Sequence, residues 1–280
     1  MSGSGAKTAP RVRARGATGR RSRYGLTLHQ LRYDLRVLLR NRQAQFFTLF
    51  LPVVLLVTFA SVIGGPGSTV AVSGGRLPTA TSYVPAIMTV AVIASTFVNL
   101  VISVTAQRES GVLRRRRATP LPATVLIVSR ALASFVVALS TCTVLIVVGW
   151  AAYGAHLSVR EVPSLIVSLV VGAASFCCIG FAVASLVRDQ DSAQPVTQAV
   201  MLPMYFVSGV FVAASMLPHW LLHVADVFPV RHLEVALLTV YNPHLRSAGP
   251  AYSDLLIVAG WGAGGLLLAL RKFSWQPRGR

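Results

Sequence analysis

The side chains with the widest chemical range in this sequence sit in one short stretch: His219, His223, Asp226, His232 and Glu234. His219 and His223 stand at i and i+4, a spacing that puts two imidazoles on one face of a helix, where a divalent metal would meet both. Pro229 interrupts any single helix that would gather all five residues. Polar residues on an amphipathic hairpin at a membrane face would give the same pattern, so no metal centre is expected. Cys142, Cys177 and Cys178 lie in apolar runs without a histidine or carboxylate at ligand spacing, which reads as small packing residues rather than ligands or disulfides. A phosphate-binding loop needs Gly-Lys-Ser/Thr after a further upstream glycine. Lys7-Thr8 has Met1 and Ala6 where those glycines belong, and Lys272 is followed by Phe273, so the chain carries no ATP-hydrolysing engine. The acids Asp34, Glu109, Glu161, Asp189, Asp191, Asp226, Glu234 and Asp254 all fall in expected loops or at span edges. A membrane-embedded enzyme or a proton-driven carrier would place ionisable groups inside the bilayer, and neither is expected.

The elements that position these groups are membrane spans. The 280 residues are 54% hydrophobic and only 12% charged, with a mean hydropathy of +0.65, whereas a soluble domain carries roughly 25% charged residues. At roughly 20 residues per crossing, six apolar stretches are read as spans, at 44–63, 83–106, 123–153, 162–187, 193–214 and 252–270. The net charge of +18 is segregated along them. Of the 26 Lys and Arg residues, all but Arg76, Arg160, Arg231 and Arg246 fall on one alternating set of segments. Basic residues are retained on the cytoplasmic side, so both termini are expected inside, in the plasma membrane. The same segregation excludes a nucleic-acid partner, since no basic domain with interleaved aromatics appears.

The expected fold class is therefore an all-α membrane protein. A disordered basic tail at 1–24 precedes a cytoplasmic interfacial helix at 25–43, a six-span domain at 44–270 and a cytoplasmic tail at 271–280. In the second segment Leu28, Leu31, Leu35, Leu38 and Leu39 fall in an arc of about 100°. Arg32, Arg36 and Arg40 line its edge, which suits a helix lying on anionic lipid head groups. An ordinary basic flank with some helicity is the alternative. Gly64, Gly65, Pro66, Gly67, Gly74 and Gly75 mark a first outer loop. Met216 to Phe228, broken by Pro218 and bounded by Pro229, is too short to cross and is read as an outer-face helical hairpin between spans five and six.

Between the second and third spans the chain reads Arg108-Glu109-Ser110-Gly111-Val112-Leu113-Arg114-Arg115-Arg116-Arg117-Ala118-Thr119-Pro120. This loop resembles that of the type 2 ATP-binding-cassette exporter permeases, the daunorubicin-resistance-like drug and polysaccharide exporter group. An acidic residue, a glycine, a leucine, basic residues and Thr-Pro are matched by Glu109, Gly111, Leu113, Arg114, Arg115, Arg117, Thr119 and Pro120. Pro203 to Phe211, Leu217 to Leu221 with Pro229, and Phe273 to Arg278 are similar to family features in the same order. The resemblance implies that the loop is a coupling helix docking on a separate ATPase subunit. It also implies a second permease copy in a homodimer or heterodimer, and ATP and magnesium held by the ATPase with no cofactor in this chain. The expected function is ATP-driven export of an amphipathic drug, antibiotic or lipid-like substrate by alternating access, with lipid-linked polysaccharide as the alternative cargo. Ser95, Asn99, Tyr205 and Ser208 are candidate pathway residues, as the polar or aromatic members of apolar spans. Helix-to-helix packing would account for them equally well.

Overall fold

A computed structural model describes residues 46–272 apart from 66, 73, 110–122, 188, 213 and 246–248. The tail at 1–24, the interfacial helix at 25–43 and the C-terminal tail beyond Lys272 lie outside the described residues. Four described helices are long and apolar enough to cross a membrane: Thr79–Glu109, Val128–Tyr153, Val159–Leu186 and Tyr252–Lys272. We label the helical elements α1 (Leu51–Val62), α2 (Thr79–Ile93), α3 (Asn99–Glu109), α4 (Ala123–Tyr153) and α5 (Val162–Leu186), then α6 (Gln190–Val207), α7 (His219–Ala225), α8 (Pro229–Tyr241) and α9 (Tyr252–Lys272).

Two of the six expected spans coincide with helices outside that group of four. α1, entered through a π-helical turn at Phe46–Phe50, belongs to a shorter apolar helix, Thr48–Val62. α6 has 18 residues, and its opening turns carry Gln190, Asp191, Ser192, Gln194 and Thr197. It also stops earlier than the expected boundary at residue 214. Ser208 caps the helix with its amide on the Met204 carbonyl, and Gly209 follows at φ +90°, a left-handed conformation in which a side chain would be strained.

The central element is α2, which presents almost no free face. Every residue from Val84 to Ile93 is buried, because α1, α4, α5 and α8 all pack against it. A continuous apolar run on a helix surrounded on all sides is what its composition predicts. α2 passes into α3 through a π-helical turn at Ala94–Val98, so the two form one 31-residue helix, about 46 Å long at roughly 1.5 Å per residue. α9 lies along α5. A Cβ on Gly262 would stand 2.7 Å from the Ser175 Cα, and one on Gly265 would stand 2.9 Å from the Ile179 backbone. Small residues at these two positions let the backbones approach as membrane helices commonly do.

The segment between α1 and α2 adds one short β hairpin to a mostly helical fold. Thr69–Val72 (β1) and Gly75–Pro78 (β2) pair antiparallel, with Val70 opposite Leu77. The β-branched run Thr-Val-Ala-Val favours extension, Gly74 turns the chain at φ +85°, and Val70 and Leu77 point inward at 8% and 3% exposure. The stretch between α6 and α9 does form two helices, α7 and α8, broken at Pro229. Its buried part, however, is α8 rather than the apolar patch 216–228. Val230, Leu233, Ala236, Leu237 and Val240 face the protein, where α2, α5 and α9 cover them.

Candidate functional site

One end of the molecule carries a corner built by two adjacent residues of opposite charge. At the close of α3, Arg108 is buried, and its Nη1 donates to the Ala184 carbonyl at 3.1 Å while Nη2 donates to the Val187 carbonyl. Those acceptors belong to the C-terminal end of α5, where carbonyls lack helical partners and the helix dipole favours a cation. Glu109, the next residue, accepts from the Gln190 amide at 2.8 Å. That amide opens α6, where the dipole favours an anion. Asp189 caps the same helix, accepting from the Ser192 amide at 2.8 Å. A pull on the chain just beyond Glu109 therefore reaches the end of α5 and the start of α6 through hydrogen bonds. Of the coupling residues named from the sequence, Glu109 is described. Gly111, Leu113, Arg114, Arg115, Arg117, Thr119 and Pro120 lie outside the described residues.

The opposite end holds a cavity of about 390 Å³ between the β hairpin, the start of α2, the turn after α6, α7 and α8. Aliphatic side chains such as Val70, Val210, Leu222 and Leu238 form most of its wall, and Tyr83, Arg231 and Glu234 also face it. The Glu234 side chain is 6% exposed and meets Arg231 Nη1 at 2.9 Å. Arg231 Nη1 also donates to the Ser208 carbonyl at 3.3 Å, and its Nε lies 3.8 Å from Asp226 with no hydrogen-bond partner. α8 belongs to the segment between spans, and burial there pushes the Glu234 carboxyl up, to about 7. The charge and hydrogen bond of Arg231 oppose the rise, and the charge of Asp254 adds to it.

Beside the cavity, His232 is held at both ring nitrogens. Nδ1 pairs with Asp254 at 2.7 Å, and Nε2 contacts the Asp226 carbonyl at 2.7 Å. Thus Asp226, His232 and Glu234 do converge, joined by Arg231 and Asp254, whereas His219 and His223 face outward on α7. Among the described residues no three His, Cys, Asp or Glu side chains gather as a metal site would require.

None of the four pathway candidates is among the residues that line this cavity. Ser95 is fully buried in the π-helical turn and donates to the Ala91 and Val92 carbonyls of its own helix at 2.8 and 3.0 Å. Asn99 is half-buried one turn further on. Tyr205 packs edge-on against Phe211 with ring centroids 5.7 Å apart. Phe211 in turn stacks on Phe59 at 5.4 Å, and its carbonyl accepts from the Tyr83 hydroxyl at 3.4 Å. Ser208 donates to the Met204 carbonyl at 2.5 Å and offers its own carbonyl to Arg231, so it braces the cavity rim.

Sequence reasoning missed Arg108, Phe59, Tyr83 and the Arg231–Glu234 pair. Only the last had a local signal, an arginine and a glutamate at i and i+3 on one helix face.

No curated protein matches the chain significantly. Residues 67–271 match the family described as ABC-2 family transporter protein, which implies an ATPase partner. The match takes in the long α2–α3 helix, the charged corner that ends it and the helices up to α9. A multi-pass membrane protein by its apolar helices and matched over most of its length, this chain belongs to the ABC-2 transporter family of type 2 ABC permeases.

Proposed function

We propose that the chain is the six-span permease subunit of an ATP-driven exporter, with both termini and the loop from Glu109 to Pro120 on the cytoplasmic side. α1 and α6 complete the crossings, and a second permease copy and a pair of ATPases complete the transporter. ATP and magnesium reside in the ATPases, which close on ATP and drive the loop. The cargo is an amphipathic drug, antibiotic or lipid-like molecule. It is moved outward because its affinity differs between inward-open and outward-open states.

The observation that carries this reading is the Arg108–Glu109 corner. A compact ATPase acts on the permease only through segments that project from the membrane, and residues 110–122 leave α3 immediately after two side chains that cap the ends of α5 and α6. Displacement of the loop is then displacement of both helix ends. The test is co-expression with the ATPase, pull-down and substrate-stimulated hydrolysis in vesicles. Gly111→Pro should weaken pull-down of the ATPase. Glu109→Ala, which removes the acceptor of the Gln190 amide, should reduce stimulated hydrolysis at least tenfold while the permease stays inserted. Full coupling in both variants would overturn the reading.

A further inference from the structure

The Arg231–Glu234 pair is not sealed in a dry core. Both residues face the 390 Å³ cavity, within the range of roughly 300–1,000 Å³ typical of small-molecule pockets. Arg231 engages one carboxylate oxygen, Oε2, and Oε1 makes no hydrogen bond among the described residues. That oxygen is free to accept from a donor that enters the cavity.

The sign of the missing charge follows from the neighbours. Glu234 on α8 faces the cavity, and behind it Asp226 at the end of α7 pairs with Arg231 and Asp254 on α9 pairs with His232, against Arg231 alone as a permanent cation. The His232 ring is turned away, onto Asp254 and the Asp226 carbonyl. Tyr83 from α2 is the one further titratable wall residue, and the cavity-lining residues of the hairpin and of the turn after α6 bring none. The locality therefore holds an excess of negative charge. An anion entering would meet Glu234, while Arg231 already donates to Glu234 and the Ser208 carbonyl, and its one unpartnered buried donor, Nε, lies 3.8 Å from Asp226. A cation would find a carboxylate oxygen, with Tyr83 and aliphatic surface for the rest of the molecule.

We infer that this cavity binds a small organic cation, a protonated amine on a compact apolar body, with Glu234 Oε1 as its counter-ion. The amine donates to Oε1 while Arg231 keeps Oε2, and the apolar body lies against Val70, Val210, Leu222 and Leu238. Because Arg231 also holds the Ser208 carbonyl, a ligand here touches the turn that ends α6. Its role as a release site at the outer end of the path rests on the exporter reading, but binding itself does not.

The experiment is equilibrium binding to the full-length permease in lipid nanodiscs, without ATPase. The probe is 4-phenylbutylammonium, compared with the equally shaped neutral 4-phenylbutan-1-ol. The amine should bind at least tenfold more tightly than the alcohol, and Glu234→Gln should abolish that preference while alcohol binding persists, which also reports an intact fold. Leu238→Trp, whose indole fills the cavity, should remove binding of both probes. The amine stays protonated near neutrality, as a lysine does. Its affinity should therefore rise from pH 6 to pH 8 as Glu234 ionises. Equal binding of the two probes by the unmodified permease, or an undiminished preference in Glu234→Gln, would overturn the inference. Loss of ATPase coupling with probe binding intact, or the reverse, separates failure of the exporter reading from failure of this one.

Discussion

Glu234 resists ionisation because its surroundings bury it, and that resistance is measurable. Its carboxyl is raised from 4.5 to about 7 by burial, with Asp254 adding to the rise. Between those values the folded chain holds a proton that the unfolded chain has lost. Stability from this group is therefore complete below about pH 4.5 and declines as pH climbs through about 7, by at most roughly 3 kcal/mol. We expect the thermal midpoint of the purified permease to fall between pH 5 and pH 8, and that slope to flatten in Glu234→Gln. Arg108 makes a different residue-scale prediction. Arg108→Met would leave the Ala184 and Val187 carbonyls without their donor at a buried site, at a cost of about 1–3 kcal/mol. Thermal unfolding at fixed pH should show the loss. A midpoint equal to that of the unmodified protein would mean that the corner does not hold the ends of α5 and α6.

Contact between elements depends on which glycines face a neighbour. On α9, Gly262 and Gly265 meet the α5 backbone, while a Cβ on Gly260 or Gly264 would meet nothing within 4 Å. Gly262→Val should therefore destabilise by about 1–3 kcal/mol through overpacking. Gly260→Ala should be neutral or slightly stabilising, because the unfolded chain loses freedom at no steric cost. Comparing the two midpoints in one detergent tests the α5–α9 contact directly, and equal effects would refute it. The π-helical turn between α2 and α3 follows the same local logic. Ser95 and Thr96 donate back to carbonyls of the preceding turn, Thr96 to Val92 at 2.6 Å, a type of bonding that competes with the regular ladder and bends helices. Ser95→Ala should consequently leave transport near normal. A large loss of transport, with the helix still folded, would return Ser95 to the pathway.

At the scale of the whole molecule, the long α2–α3 helix separates two ends with different chemistry, the β hairpin and cavity at one and the charged corner at the other. If the basic segments lie inside, single cysteines placed near Gly74 and Arg246 on a thiol-free background should react with an impermeant reagent added to intact cells. A cysteine at Arg115 should not react. Labelling at Arg115 in intact cells would reverse the orientation and, with it, the placing of the cavity at the outer end.

The sequence by itself determined what is additive along the chain. Hydropathy summed over about 20 residues locates the helices, and the basic residues of the Arg108 to Arg117 segment with its Thr-Pro stop carried the resemblance that the family match bears out. Turn chemistry was legible where it was local, as at Pro229 opening α8. Gly209 ending α6 and the Thr-Val-Ala-Val run that pairs as β1 were equally local, yet a hydropathy window passes over both. Tertiary structure alone decided the pairings. Nothing near Arg108 in sequence announces that its acceptors are Ala184 and Val187, more than 70 residues away. Nor does the mixed composition of α8 tell a helix lying on a membrane face from one enclosed by α2, α5 and α9. That enclosure makes Glu234 a buried carboxylate with a raised pKa instead of a solvated one. Burial is a property of what packs around a residue, and charge buried by distant helices leaves no local mark in the chain.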